Sequence, residues 1–286
     1  MEANVLGYYI HVEPDVRIYT EDVNPKGKRT ILFIHGWPAN HNLFEYQFND
    51  LPGYDCRCIG VDLRGFGKSD KPWRKYSLNR LADDIYCVIK SLQLQDIMLV
   101  GHSVGGAVAI RYMSRHCGYQ VSKLALLGAA APSVVQRPNF PHGLPIEEVN
   151  RLIEGTYEDR PKMLEQFGTS FFHQKISQPF AEWFLQMGLE AAGWATAKVA
   201  KTFRDETLFS DLCEIHVPTL ILHGIHDQVC LYPLATALHK GIPHSKLVPF
   251  EHSGHGLMWE EKEKLNKELI KFINGTKKTT HEMDCF

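Results

Sequence analysis

The sequence predicts an α/β chain, a mostly parallel, doubly wound sheet interrupted by an inserted helical stretch. Three observations carry that prediction. Short apolar runs of strand length alternate with amphipathic segments of helical period over the first 131 residues. Strand signals then vanish between residues 132 and 210, and the alternation resumes from 211 to 275. A Gly101-His102-Ser103-Val104-Gly105 run stands between the apolar stretch 96–100 and the small-residue stretch 106–110, a strand–turn–helix context.

Taken in order, residues 7–11 and 16–19 alternate as a leading pair of strands, and residues 30–35 form an apolar run of the kind buried on both faces. Residues 56–61 read as the next strand. A helix is predicted over 78–92, with Ser77 as N-cap and Leu78, Leu81, Ile85, Val88, Ile89 and Leu92 on one face. The strand before Ser103, the helix after it and a strand at 123–127 complete the first half. Pro132, Pro138, Pro141 and Pro145 then punctuate a loop. Helix-like segments follow, rich in Phe167, Phe171, Phe172, Phe180, Trp183, Phe184 and Trp194. Most of these rings are expected to pack on one another; a minority should line a pocket beneath a lid over the sheet's carboxyl edge. A strand at 218–223, a helix at 231–240, a strand at 246–248 and an amphipathic helix at 260–273 close the pattern. The expected division is a core of 1–131 and 211–275, a helical cap of 132–210 and a flexible polar tail of 276–286.

The 286 residues suffice for one large domain carrying an insertion. With 44% hydrophobic and 22% charged residues and a formal net charge of −2, the composition is that of a soluble globule, with no basic stripe for nucleic acid. The first residues lack a positive and apolar leader, and no segment reaches the roughly 18 apolar residues of a membrane span, so a cytoplasmic chain is expected. Seven scattered cysteines suit free thiols, and Cys56 with Cys58 suits core packing on one strand face. His223, His226, His252 and His255 lack partners at ligand spacing, so neither a metal nor a cofactor is expected. The expected partner is a small ester-like molecule; the sequence leaves a homo-oligomer open.

A serine hydroxyl is a poor nucleophile at neutral pH, so Ser103 needs a base within reach and an acid that fixes the base's tautomer. Asp227 lies in a glycine-bearing loop after the 218–223 strand, whereas the loop after 123–127 offers only Gly128, Ala129, Ala130 and Ala131. His255 occupies a flexible loop between the last strand and the last helix, with His252 as the alternative base. Attack on a carbonyl creates an oxyanion, and its expected donors are the Val104 N–H at a helix N-terminus and the Trp37 N–H in the loop His35-Gly36-Trp37-Pro38. The Trp37 ring is expected to wall the substrate pocket as well. Gly67-Lys68-Ser69 resembles the end of a phosphate loop but fails as one, because Asp62 stands where its first glycine belongs. Residues 62–70 read instead as a tight structural loop locked by Arg64, Asp62 and Asp70.

These motifs together resemble the α/β-hydrolase superfamily over about residues 7–275. Trp37-Pro38, the Gly-His-Ser-x-Gly-Gly elbow, Gly143-Leu144-Pro145 and Val217-Pro218-Thr219 look most like its cofactor-free bacterial haloperoxidase/perhydrolase and arylesterase group. The resemblance implies the α/β-hydrolase fold, Ser103 as nucleophile, Asp227 as acid, His255 as base, and Trp37 and Val104 as amide donors. Val104 departs from the methionine common in that group, leaving the backbone donor but altering the pocket. The expected activity is serine hydrolysis of carboxylic esters through an acyl-enzyme. Perhydrolase or haloperoxidase chemistry, lactone, amide or C–C hydrolysis, and a ligand-sensing role with little turnover are the alternatives.

Overall fold

The computed structural model describes residues 5–275; the expected tail, residues 276–286, lies outside the described residues. Eight strands form one sheet in the order β1-β2-β4-β3-β5-β6-β7-β8. Strands β1 (Val5–Glu13) and β2 (Val16–Val23) pair antiparallel, and β2 also runs antiparallel to β4 (Cys56–Val61). The other pairings are all parallel, through β3 (Arg29–Ile34), β5 (Ile97–His102), β6 (Val121–Leu127), β7 (Thr219–Gly224) and β8 (Ser245–Phe250). This is the α/β-hydrolase fold. Strands β5 and β7 are buried at every position, which is why they read as unbroken apolar runs without alternation.

Helix α2 (Leu78–Ser91) begins where Ser77 accepts the Arg80 N–H, and buries Leu78, Leu81, Ile85, Val88 and Ile89 against the sheet. Helix α3 (Val104–Arg115) follows β5 directly. Between β3 and β4 the chain makes two 3-10 turns, His41–Phe44 and Leu51–Tyr54, around the four-residue helix α1 (Glu45–Phe48). The sequence reading assigned nothing there, because pieces of four residues carry no helical period.

Four helices fill the stretch between β6 and β7: α4 (Ile146–Glu158), α5 (Arg160–Phe171), α6 (Gln178–Glu190) and α7 (Gly193–Asp205). The Arg160 guanidinium donates to the carbonyls of Gly188, Leu189 and Ala191, closing the end of α6. Helix α8 (Tyr232–Gly241) precedes β8. The helix expected over 260–273 is α10 (Lys262–Asn274), preceded by a separate short helix, α9 (Leu257–Glu260). Glu261, at φ −129° and ψ 48°, separates the two, and its carboxylate reaches back to the His252 N–H and the Ser253 hydroxyl. Cys56 and Cys58 are buried in β4, and the described cysteines are free thiols. Among the described residues no helix is long and apolar enough to cross a membrane.

The 62–70 loop is locked as its composition suggests, with an addition. Asp62 accepts the Lys68 N–H at 2.8 Å, Asp70 accepts the Arg17 N–H at 2.8 Å, and buried Arg64 clamps Asp84 at 2.8 Å and Glu13 at 2.8 Å. The addition is His41, whose Nδ1 lies 2.7 Å from Asp62 Oδ1 and whose Nε2 faces Glu21 Oε2 at 3.3 Å. Burial disfavours the His41 cation, yet Asp62 and Glu21 prevail and push its pKa from 6.5 up to about 9. The folded value exceeds the unfolded one, so this stabilisation is fully present below pH 6.5 and is lost as pH rises through about 9. The urea midpoint of the wild type is therefore expected to fall between about pH 6 and about pH 10, and His41→Gln to flatten that slope. Equal slopes for the two proteins would refute the assignment.

Candidate active site

Strand β5 delivers Ser103 to the carboxyl edge of the sheet, and α3 starts at the next residue. Ser103 takes φ 54° and ψ −120°, a conformation side-chain-bearing residues rarely adopt. Backbone bonds hold it: its N–H donates to Leu127 O at 2.9 Å, and its carbonyl accepts from Gly106 and Ala130. The elbow can sit this close to β3 because Gly105 has no side chain; a Cβ there would stand 2.2 Å from Ile34 O. Gly36 permits the loop after β3 to lie against the elbow, since its Cβ would stand 2.7 Å from Ser103 Cβ.

Asp227 follows β7 and His255 follows β8, and adjacent parallel strands bring their end loops together. His255 Nδ1 lies 2.7 Å from Asp227 Oδ2. Asp227 Oδ1 accepts the N–H groups of Val229 and Cys230, each at 2.8 Å, in an Asx-type turn that fixes the carboxylate. His223 adds a second imidazole, its Nε2 3.3 Å from Asp227 Oδ2 and 2.6 Å from Cys230 O. Burial by itself would raise the Asp227 carboxyl, but attraction to His255 and hydrogen bonds from His223 and His255 hold it well below the usual carboxylate range. The far nitrogen of His255, Nε2, is buried with no hydrogen-bond partner among the described residues. Gly128, at the end of β6, closes the gap between these loops and the elbow: a Cβ on it would touch both His255 Nδ1 and Asp227 Oδ2.

The two expected amide donors are also placed. Neither the Trp37 N–H nor the Val104 N–H donates a hydrogen bond among the described residues. His35 orders their loop, donating from Nδ1 to Gly36 O at 2.8 Å and accepting the Leu63 N–H on Nε2; burial pushes its pKa down to about 4, keeping it neutral. The Trp37 indole N–H donates to Thr196 O, and its ring meets Phe167 and Phe203 edge-on. The loop after β3 is thereby tied to the inserted helices. His252, the alternative base, is exposed and contributes only backbone contacts there.

A cavity of about 30 Å³ lies over Ser103 and Val104, walled by Trp37, Phe167, Phe203 and Cys230. Larger hollows of 650 Å³ between α5 and α6 and 710 Å³ beside α10 touch neither Ser103, Asp227 nor His255. Of the seven rings read as candidate lining, Phe167 reaches the cavity; Phe171 instead packs edge-on against His255 at 4.8 Å. Phe203 and Cys230 line it too and were not singled out from the sequence. Cys230 was legible in principle, three residues after an aspartate whose loop makes an Asx turn. Its thiol pKa is raised well above the usual range by burial.

A family model described as the alpha/beta hydrolase fold matches residues 29–262. The chain belongs to the α/β-hydrolase family. Among α/β-hydrolases it is 47% identical over 270 residues to the AB hydrolase superfamily protein YisY of Bacillus subtilis, covering 94% of this chain and all of that one. The solved esterase of Exiguobacterium antarcticum is 42% identical with a TM-score of 0.92, covering 94% of this chain and all of the other. The non-heme chloroperoxidase CPO-A1 of Kitasatospora aureofaciens is 32% identical over 258 residues, 86% of this chain and 92% of its own. The resemblance to the haloperoxidase and esterase group thus holds, and the elbow can be tested directly. Gly105→Ala is expected to cost about 2 kcal/mol or more of unfolding free energy, because the contact is with rigid backbone. An unfolding midpoint equal to wild type would show that the elbow relaxes freely.

Proposed function

We propose that this α/β-hydrolase cleaves carboxylic esters through an acyl-enzyme on Ser103, with His255 as general base and Asp227 as its orienting acid. One observation carries the reading: His255 is anchored by Nδ1 on an ionised, buried carboxylate while its Nε2 stays without a partner. That nitrogen is the one free to take a proton. The Ser103 hydroxyl gives up its proton to it, and its oxygen attacks the ester carbonyl. The oxyanion accepts the free N–H groups of Trp37 and Val104, interactions worth about 3–4 kcal/mol each when removed. His255 returns the proton to the departing alcohol, and a water deprotonated by the same nitrogen then releases the acid. Asp227 stays ionised throughout.

The cavity over Ser103 holds roughly one water, so substrate access requires the partly exposed rim residues Leu144, Leu152 and Val229 to shift. Its apolar walls favour an apolar acyl group. A second reading, peracid formation from a carboxylic acid and peroxide, draws on the relatives named chloroperoxidase and on the bifunctional esterase/perhydrolase of Acinetobacter calcoaceticus, 28% identical to this chain.

A panel of p-nitrophenyl and aryl esters tests the first reading. Ser103→Ala is expected to fall to background and Asp227→Asn to lose about 10³–10⁴ in kcat, while His252→Ala stays within about threefold of wild type. Full turnover in Ser103→Ala would sink the proposal, and an unchanged Asp227→Asn would move the acid elsewhere. Peroxide-dependent oxidation that needs both a carboxylic acid and Ser103 would establish the second reading.

A further inference from the structure

The loop bearing His255 is fastened on both sides, and one side is the helical insertion. The Phe171 carbonyl, at the end of α5, accepts the His255 N–H at 2.9 Å and the Gly256 N–H at 3.1 Å. Three residues further along the junction between α5 and α6, the Gln174 side-chain amide donates to His252 O and Glu260 O. Between these contacts stands Glu260, five residues after His255. Its Oε1 accepts the His173 N–H at 2.6 Å and the Gln174 N–H at 2.7 Å, and its Oε2 accepts the Gly254 N–H at 2.8 Å.

This carboxylate is unlike its neighbours. Glu261 reaches only His252 and Ser253 of the same loop and has Lys264 as a counter-ion. Glu260 forms no ion pair with lysine or arginine among the described residues, and its three partners are backbone amides from two separate segments. Burial raises its carboxyl, opposed by those same amides. Charge-assisted bonds of this length are about twice as strong as neutral ones. Losing them removes three of the bonds that join the junction to the loop.

We propose that Glu260 is a positioning residue that fastens the α5–α6 junction to the His255 loop, holding the imidazole in register with Asp227. The inference rests on the reading of His255 as the base. The aromatic insertion and the base then move as one body, since Phe171 joins them through its carbonyl and through its ring. The parallel stack of His173 on His226, with centroids 3.8 Å apart, ties the same junction to the residue beside Asp227.

The test compares Glu260→Ala, Glu260→Gln and Glu261→Gln in the full chain, using a p-nitrophenyl ester and amide hydrogen exchange, with rates normalised to folded protein. Glu260→Ala is expected to lower kcat about 10–100-fold with KM within about threefold, the loss that a small displacement of a reacting group produces. Glu260→Gln, which keeps an acceptor oxygen, should recover part of it. Exchange should quicken at residues 173, 174, 254 and 255 in Glu260→Ala, and not at 173 and 174 in Glu261→Gln. Wild-type kcat in Glu260→Ala, or unchanged protection of these amides, would overturn the proposal. Absence of Ser103-dependent turnover in the wild type would instead remove the base reading, and the exchange experiment would still decide whether Glu260 fastens the two segments.

Discussion

Ser103 is held at φ 54° and ψ −120°, and the construction around it follows from keeping it there. A residue in such a conformation costs of order 1–3 kcal/mol, so its neighbours must over-determine it. They do so from the ends of two strands, β6 and β3. Leu127 of β6 accepts its N–H, Ala130 beyond β6 donates to its carbonyl, and the loop after β3 presses Gly36 against its Cβ. The next residue opens α3, so the same turn that strains Ser103 leaves the Val104 N–H unpaired at a helix N-terminus. The proposed nucleophile and one proposed oxyanion donor come from one backbone event.

The second constraint is electrostatic. A carboxylate buried as Asp227 is would be driven toward its neutral acid without compensation. Two backbone amides, His255 and His223 supply that compensation, and because the amides belong to Val229 and Cys230, the second and third residues after it in its own loop, the carboxylate is fixed by local backbone. His255 is aimed in turn by its backbone: its N–H meets Phe171 O, and its carbonyl meets His102 Nε2 beside the nucleophile. His255 therefore touches the insertion, the elbow and the Asp227 loop at once. Burial drives the His102 pKa well below the ordinary value, so that imidazole stays neutral in this role.

Much of this was legible before the structure. The buried strands β3, β5 and β7 announce themselves as short apolar runs, and α2 carries its cap and its apolar face in its composition. Asp227 and His255 could be chosen because in a parallel sheet the loops after the strands share one edge, and few acids or histidines lie in those loops. What stayed illegible depends on contacts between distant segments. The Glu261 carboxylate returns to residues 252 and 253, and the turns over 41–54 are too short to leave a period. Phe203 and Phe171 look alike in the sequence, yet one walls the cavity and the other backs the histidine.

The sequence by itself determined the fold class and which residues share the sheet's carboxyl edge. Residue type, order and strand-end placement specify a serine, an aspartate and a histidine there, since period and turn composition are local properties that survive without tertiary contacts. Tertiary structure decided how tightly those groups are held and what may reach them. The 30 Å³ cavity, the pairing of Trp37 with Thr196, and the Glu260 carboxylate shared between residues 173, 174 and 254 all join segments far apart in the chain. Such contacts form only once the sheet and its insertion are packed, because a side chain's partner across a fold is set by three-dimensional proximity and leaves no periodic mark on the sequence.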